Sequence, residues 1–270
     1  SYHVDNRVTV SFQSSYSDLT WKESPYGSFS DYVIMNPYDA PYDEYGRVNK
    51  TMSWEMANPL FEAECGNYDE GASRSFTNTL SFRWDVLPGF FINGTGTIVT
   101  SRERTEKFIS PESNEFKDVA NRSEQGSLSI NNIRRLSYEG KFVVNYAKNL
   151  GEDYLLTLHG GFDISKKTQT MDGYTAYGFY KSSLHAPNFA AGFGEGRRPT
   201  GTDDIETSVG PFINANFIMK NRYFVDGSFR RSGSSKFGDE NRFAPFWSVG
   251  AGWNIHNEEF ATRFGWLNTF

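Results

Sequence analysis

The chain contains one cysteine and lacks any long hydrophobic run. With only Cys65 present, an intrachain disulfide and a multi-cysteine zinc or iron–sulfur site are excluded within these residues. No stretch of about 18 apolar residues occurs, so the sequence predicts no transmembrane helix. Strands of a membrane barrel carry a much weaker hydrophobic signal that alternates from residue to residue, so the missing run does not exclude a membrane β-barrel.

Aliphatic residues are also scarce. The hydrophobic fraction is 37%, but 24 Phe, 15 Tyr and 6 Trp make up a large part of it. This composition argues against a helical bundle or a doubly wound α/β fold, whose cores are built on aliphatic side chains. The 25 glycines favour strands and turns instead. The net charge of −6 argues against a nucleic-acid partner, which requires clustered Lys and Arg.

Alternation with a period of two dominates the chain. Between residues 75 and 86 five of the six even positions are apolar and none of the odd ones is, which predicts a strand with one apolar and one wet face. The same pattern predicts eight strands, around residues 8–12, 75–86, 90–100, 128–146, 154–165, 209–219, 223–230 and 243–255. The fourth is much longer than strands of about 5–6 residues that soluble proteins use.

The predicted connections alternate in length. Short ones fall at 87–89, 149–153 and 221–222, whereas longer ones fall at roughly 18–73, 102–124, 171–205 and 232–242. This sorting is typical of an up-and-down outer-membrane barrel with short periplasmic turns and long extracellular loops. After the last strand, residues 257–264 read as a short helix with Asn257 as its N-cap.

Aromatic residues near many strand ends favour the same class. Rings with a polar tip prefer the boundary between lipid and water, and barrels carry girdles of them there. Two alternatives remain open on these patterns alone. One is a soluble secreted β-sandwich or lectin-like binding module, and the other is an enzyme on a small eight-stranded membrane barrel.

The residues offer no coherent catalytic group. His159 and Asp163 share a strand face, but four residues of a strand separate them by about 13 Å. Cys65 is expected to be a buried or loop thiol rather than a nucleophile. The acidic residues Asp39, Asp43 and Glu44 match no calcium-loop spacing. The sequence therefore predicts no catalytic residue, no metal site and no cofactor, so the chain is not expected to be an enzyme.

Several motifs carry a family resemblance. Residues 221–238 read NRYFVDGSFRRSGSSKFG, residues 241–255 read NRFAPFWSVGAGWNI, and residues 25–32 and 35–46 read PYGSFSDY and MNPYDAPYDEYG. Asn58-Pro59-Leu60 and Ser110-Pro111-Glu112-Ser113 add two shorter matches. In combination they resemble the SusC/RagA family of TonB-dependent outer-membrane transporters from Bacteroidetes. The departures are Arg231-Ser232-Gly233 for Arg-x-Asp-Gly and Phe246-Trp247-Ser248 for Phe-Pro-Ser.

The resemblance implies a piece of a large plugged barrel of about 22 strands. Residues 1–270 are then expected to form the middle of the barrel domain, without the plug or the TonB box. The implied location is the cell outer membrane, in contact with its lipid. The implied partners are TonB, acting through the missing N-terminal region, and a SusD-like surface lipoprotein. The implied ligand is a glycan or an oligopeptide.

Aromatic residues in the long loops are the candidate ligand contacts. Sugars present apolar C–H faces that such rings can cover, beside hydroxyl groups that loop Asn and Asp can bind. The candidates are Tyr26, Tyr32, Tyr38 and Tyr42 in the first long loop and Tyr174, Tyr177 and Tyr180 in the third. The alternative, that these rings pack the loops onto themselves or onto a partner, remains equally open.

Overall fold

The computed structural model describes residues 2–238, 242–258 and 260–261. Its strands are β1 (Tyr2–Asp5), β2 (Val8–Lys22), β3 (Tyr68–Leu87), β4 (Phe90–Ile109), β5 (Ser127–Leu150), β6 (Tyr154–Tyr177), β7 (Thr200–Met219), β8 (Tyr223–Ser234) and β9 (Phe243–Trp253). Two short helices, α1 (Phe29–Val33) and α2 (Pro59–Glu64), lie between β2 and β3. Single 3₁₀ turns occupy Ser53–Glu55, Asn114–Phe116, Arg122–Glu124, Pro187–Phe189 and Ile255–Asn257.

All nine strands form one sheet in which each strand pairs with its neighbour in sequence. Every pairing is antiparallel, so the sheet is an up-and-down meander. The eight predicted strands are confirmed as β2 to β9. The sequence pattern missed β1, which is only four residues long and too short for alternation to be recognised.

The register of pairing keeps like faces together from strand to strand. Phe82 of β3 lies opposite Gly94 of β4, which lies opposite Phe142 of β5, which lies opposite Phe162 of β6. The Phe142 and Phe162 rings stack with their centroids 5.7 Å apart. The apolar positions of all eight long strands therefore share one side of the sheet, the apolar face, and the polar positions share the other, the polar face.

The apolar face is left open by the described part of the chain. Phe12 is 65% exposed, Trp247 75% and Val249 73%, values that a packed core would not allow. The apolar run on β5 extends over eleven residues from Leu136 to Tyr146. At about 3.3 Å per residue and a tilt of about 45°, it covers about 24 Å, close to the height of the apolar band of an outer-membrane barrel.

Aromatic rings gather at the short-turn end of this face. Phe90 packs edge-on against Tyr146, Tyr154 stacks on Phe217, and Tyr223 stacks on Trp253. Trp84 lies at the same end of β3 and is 45% exposed. These rings match the interfacial girdle that the sequence predicts, and the polar groups of Tyr223 and Trp253 donate to Glu258 at this end of the sheet.

The strands are longer than predicted and the long loops correspondingly shorter. The predicted connection 18–73 is 23–67, 102–124 is 110–126, and 171–205 is 178–199. Beyond the apolar band both faces of a strand are wet, so hydrophobic alternation disappears although the backbone ladder continues. Tyr174 and Tyr177, expected in the third long loop, consequently lie in β6.

A small buried core lies at the loop end of the sheet, above the apolar band. Phe108, Leu128 and Phe179 are fully buried, and Ile130 and Ala176 are nearly so. The four strand residues lie at apolar-face positions, and Phe179 comes from the 178–199 connection that folds over them. The loop end is therefore packed as a unit, and we call the connections 23–67, 110–126 and 178–199 the loop cap.

The segment after β9 is held at the short-turn end by one carboxylate. Glu258 accepts hydrogen bonds from the Tyr223 hydroxyl at 2.6 Å and the Trp253 indole at 3.0 Å, and it pairs with Arg222 at 3.0 Å. Glu258 is only 8% exposed. The turn before β8 and the chain after β9 are thus joined through Glu258.

Asn257 is not the N-cap of a helix as the sequence predicts. Asn257 ends a 3₁₀ turn instead of capping a helix, and Glu258 follows in an extended conformation. The extended geometry lets the Glu258 carboxylate reach Arg222 and Tyr223. Residues 259 and 262–264 of the predicted helix lie outside the described part of the chain. Among the described residues, none of the helices is long and apolar enough to span a bilayer.

A charge placed at the centre of the apolar face tests which side meets lipid. Leu80 lies midway along the apolar run of β3 and is 54% exposed, and its neighbour Ser81 is on the polar face. We expect Leu80→Lys to destabilise the folded barrel by about 2–4 kcal/mol, and Ser81→Lys by less than about 1 kcal/mol. Denaturant unfolding of the two variants in lipid vesicles measures the difference. Equal losses would contradict a lipid-facing Leu80.

Candidate functional site

The polar face of the sheet is lined by paired hydroxyl groups. Each pair joins residues directly opposite on neighbouring strands, which places the two oxygens within hydrogen-bond distance. The pairs are Thr79–Thr97, Ser81–Thr95, Ser129–Thr175, Ser165–Ser208 and Ser228–Ser248. Such a surface is wettable along its whole length and offers donors and acceptors to a polar solute.

Charged pairs on the same face lie among these hydroxyls. Arg135 of β5 pairs with Glu103 of β4 at 3.0 Å, and Arg230 of β8 pairs with Asp163 of β6 at 2.8 Å. His159 does not join Asp163 in a dyad, since its Nδ1 lies 2.7 Å from the Asn145 Oδ1. The charges are therefore used to link strands, and the expected separation of His159 from Asp163 holds.

The Arg230–Asp163 pair crosses over an intervening strand. Gly210 of β7 lies directly opposite Asp163, and a Cβ there would come within 2.3 Å of the Arg230 guanidinium. The absence of a side chain at Gly210 lets Arg230 reach across β7. Lys141 lies opposite Asp163 on the other side. A groove of about 520 Å³ opens here, lined by these three charged residues together with Phe212, Asn214, Ser228, Phe246, Trp247 and Ser248.

Two connections of the loop cap, 23–67 and 110–126, meet at the carboxylate of Glu62 in α2. It accepts hydrogen bonds from the Ser113 hydroxyl at 2.6 Å, the Asn114 backbone N–H at 2.8 Å and the Asn67 amide at 3.0 Å. Burial opposes ionisation of Glu62, but these hydrogen bonds outweigh it and hold its pKa below the usual value. The carboxylate thereby fastens the first long loop to the 110–126 connection.

Asn58 organises the first long loop from within. Its residue is 1% exposed, and its amide donates to the carbonyls of Pro41 at 3.0 Å and Asn49 at 2.8 Å. Its side-chain oxygen accepts from the Leu60 N–H, which makes Asn58 the N-cap of α2. The loop is therefore shaped by one buried side chain whose hydrogen-bonding groups are all used.

Cys65 follows α2 and is 6% exposed. Burial, with the Glu62 charge as a second cause, raises the pKa of its thiol to about 11. The thiolate, the reactive form, is therefore almost absent at neutral pH. This agrees with the interpretation of Cys65 as a buried thiol. Among the described residues, no three His, Cys, Asp or Glu side chains are grouped as metal ligands.

The candidate tyrosines of the first long loop are mostly accessible. Tyr38 is 95% exposed, Tyr26 57% and Tyr42 49%. Tyr32 lies in α1 and is half-buried, and its hydroxyl has no hydrogen-bond partner. Tyr26 borders a cavity of about 280 Å³ between α1 and α2. The structure thus brings Tyr26 and α1 to one small recess and leaves Tyr38 projecting freely.

Of the other three candidates, Tyr174 and Tyr177 lie at the end of β6, and Tyr180 lies in the 178–199 connection. Tyr174 packs against the buried core and edge-on against Phe193, so it also has a structural role. Tyr177 ends β6 and hydrogen-bonds Arg197, whose guanidinium lies over its ring. Tyr180 is 67% exposed with Arg122 over its ring at 5.4 Å. The seven tyrosines do not form one cluster.

Sequence reasoning missed one prominent aromatic residue of the first loop. Trp54 is 92% exposed and has a φ of 62°, which non-glycine residues rarely adopt. The adjacent Ser53 is hydrogen-bonded to Asp39, which fixes the turn. No periodic pattern distinguishes Trp54 in the sequence, and only the turn geometry shows that its ring is held away from the protein.

Removing the charge of Glu62 tests its role in the loop cap. Its folded pKa lies below the ordinary value of about 4.3, so its contribution is complete above about pH 5 and is lost as the pH falls below about 4. We therefore expect the backbone amides of residues 110–116 in the wild type to be less protected from hydrogen exchange below about pH 4 than at neutral pH.

Glu62→Gln should show this loss of protection already at neutral pH, with local stability reduced by about 1.5–3 kcal/mol. Unchanged protection would contradict this assignment, and Glu64→Gln is the matched control.

A side chain at position 210 tests the bridge over β7. We expect Gly210→Val to displace Arg230 and leave Lys141, directly opposite on β5, as the nearest cation in register with Asp163. Because both partners are partly exposed, the stability loss from the pair itself should stay below about 1 kcal/mol. A double-mutant cycle of Gly210→Val with Arg230→Met, followed by thermal unfolding, measures the coupling. Strictly additive losses would show that Gly210 does not serve the bridge.

Comparison with known proteins gives two sequence relatives, and no family model matches the chain. It is 22% identical over 271 residues to TonB-dependent receptor P26 of Formosa agariphila, and the match covers 95% of this chain. It is 25% identical over 242 residues to TonB-dependent receptor P39 of the same organism, covering 87% of this chain. The chain spans only 26% and 21% of the length of these relatives.

Solved structures show the same fold. The RagAB peptide transporter matches with a TM-score of 0.77 at 18% identity, covering 96% of this chain and 30% of that one. The RagAB peptide importer in its open-open state matches with a TM-score of 0.75 at 19% identity, covering 95% of this chain and 29% of that one. A likeness of this extent at low identity establishes the architecture, namely a contiguous stretch of a barrel wall.

The proteins matched in sequence and in structure are receptors and transporters. Their names agree with the predicted outer-membrane location and with the prediction of a non-enzymatic protein. They also agree with the resemblance to TonB-dependent transporters that the sequence motifs indicate. Over nearly its whole length the chain is similar to TonB-dependent receptors, and it has the fold of a segment of a SusC/RagA-type outer-membrane β-barrel.

Proposed function

We propose that this chain forms part of the wall of a TonB-dependent importer that brings glycans or oligopeptides across the outer membrane. The observation that carries the proposal is the sorting of faces across β2 to β9. One face is apolar and exposed, and the other bears paired hydroxyls and ion pairs. The apolar face meets lipid, and the polar face lines the lumen through which a polar nutrient passes.

The soluble β-sandwich alternative needs a second sheet over the apolar face. The described residues form a single sheet, and large apolar side chains such as Phe12 and Trp247 are left exposed. A dry interior between two layers is therefore missing from the described part of the chain. The barrel-wall proposal explains the same exposure without an additional layer.

Residues 1–270 act in this proposal as one segment of the barrel domain. The lumen-facing groove around Lys141, Asp163 and Arg230 lies on the side on which a plug domain would sit. The plug and the TonB-contacting region belong to parts of the importer beyond this segment. TonB would act through those parts and displace the plug, and the barrel wall itself would stay rigid.

The loop cap is the proposed site of ligand and partner contact. Its connections are joined by Glu62 and by the buried core around Phe108 and Phe179, so it presents a shaped surface instead of free loops. The proposed partner is a SusD-like surface lipoprotein seated on this end. The proposed ligand contacts are Tyr26, Tyr32, Tyr38, Tyr42, Tyr174, Tyr177 and Tyr180.

Growth of a strain that lacks the gene tests this function. We expect the deletion to abolish growth on one nutrient class, either glycans or oligopeptides, as sole source, and growth on their monosaccharides or free amino acids to persist. Loss of TonB should produce the same defect. Normal growth on every polymer tested would contradict the import proposal, and the nutrient class affected identifies the ligand.

Loop variants in the complemented strain then test the proposed ligand contacts. Tyr38→Ala removes an almost fully exposed ring and should reduce uptake by up to about tenfold, because stacking on an aromatic face contributes about 0.5–1.5 kcal/mol. Tyr138→Ala, on the apolar face of β5, is the matched control and should leave uptake unchanged. Equal uptake by Tyr38→Ala and wild type would remove Tyr38 from the site.

A further inference from the structure

Three arginines form a row across the middle of the sheet. Arg74 of β3 lies directly opposite Arg102 of β4, which lies directly opposite Arg134 of β5. Arg104 lies two residues further along β4 on the same face. Directly opposed side chains have Cβ atoms about 4.5–5.5 Å apart, so like charges at these positions repel one another. A row of this kind requires negative charge close by.

The chain supplies that charge to the flanking arginines only. Arg74 pairs with Asp18 at 3.2 Å, Arg134 pairs with Asp172 at 2.9 Å, and Arg104 pairs with Glu106 at 3.0 Å. Within the described part of the chain, Arg102 has no carboxylate and no hydrogen-bond acceptor. The central cation of the row is therefore the one left without a counter-charge.

The row lies on the apolar face, at the upper border of the apolar band. The next row towards the short turns consists of Phe76, Thr100 and Leu136, which belong to the band. In the opposite direction the strands lead to the loop cap. The side chains of Arg74 and Arg134 are 66% and 62% exposed, and Arg102 is exposed as well. In a barrel these guanidinium groups point outward at the depth of the outer-leaflet headgroups.

We propose that Arg74, Arg102 and Arg134 form a binding site for the phosphate group of a lipid headgroup in the outer leaflet. The planar guanidinium fork matches the geometry of a phosphate and binds it through two parallel hydrogen bonds. A phosphate between the strands supplies Arg102 with its missing counter-charge and relieves the repulsion along the row. The carboxylates Asp18 and Asp172 keep the flanking arginines oriented towards it.

This site is independent of nutrient import. It requires only that the apolar face meets lipid and that the loop cap is extracellular. It lies on the opposite face of the sheet from the lumen groove of Lys141, Asp163 and Arg230. Loss of lipid binding with normal uptake, or the reverse, therefore separates a failure of this proposal from a failure of the proposed function.

Native mass spectrometry tests the site. The full-length protein encoded by the gene is purified in detergent for this measurement. The probes are lipid A carrying its phosphates and lipid A from which the phosphates have been removed. We expect the wild type to retain the phosphorylated lipid at least about tenfold more strongly, and Arg102→Gln to lose about tenfold in that retention. Arg102→Lys should keep part of it, because the charge remains while the fork is lost.

Arg135→Gln is the matched control. Arg135 neighbours Arg134 on β5 but lies on the polar face, where it pairs with Glu103. Its retention of phosphorylated lipid should equal that of the wild type. Thermal unfolding of each variant confirms that the barrel is folded. If Arg102→Gln does not fold, the retention of phosphorylated lipid A by Arg102→Lys is compared with the wild type instead.

Three results would overturn the proposal. Equal retention of the two lipids by the wild type would exclude phosphate as the recognised group. Equal losses in Arg102→Gln and Arg135→Gln would exclude the arginine row as the site. Complete displacement of the lipid by excess inorganic phosphate would identify a free anion as the ligand instead of a membrane headgroup.

Discussion

The in-register pairing of β2 to β9 is the constraint on which the rest of this structure depends. Successive residues of a strand alternate between faces, so a slip of one residue in any strand would move its apolar side chains to the wet side. From β2 to β9 the pairing preserves the face, as the continuous series of Phe82, Gly94, Phe142 and Phe162 illustrates, except for one register shift between Asp85 and Leu87 beside the β3–β4 turn. The lipid-facing surface, the lumen-facing surface and the level of the arginine row all follow from that register.

Two glutamates join the ends of the strands to the connecting segments. Glu62 gathers residues from two parts of the loop cap, and Glu258 gathers Arg222, Tyr223 and Trp253 at the short-turn end. In both cases a carboxylate collects donors from segments that are distant in sequence. Hydrogen bonds to an ionised group are among the stronger ones in proteins.

The sheet changes character along its height because the surroundings change. Within the band the two faces differ sharply, and the alternation of hydrophobicity is strong. Above the band both faces are wet, so ion pairs such as Arg134–Asp172 and Arg135–Glu103 occur on opposite faces of the same strand. Higher still, the apolar-face positions Phe108, Leu128 and Ile130 become buried again because the 178–199 connection covers them. Along its length one strand is thus surrounded first by lipid, then by water and finally by the packed side chains of the loop cap.

The sequence by itself determined the strand order, the faces of the strands and the barrel class, because a period of two is a local property that lipid and water impose on every strand. It also predicted that Cys65 is a buried or loop thiol and that the short turns share one end. Only the tertiary structure decided the full length of the strands, the placement of Tyr174 and Tyr177 in β6, the meeting of Glu62 with Ser113, and the row of Arg74, Arg102 and Arg134. These depend on which residues face each other across strands, and that register is set by long-range pairing that no local pattern encodes.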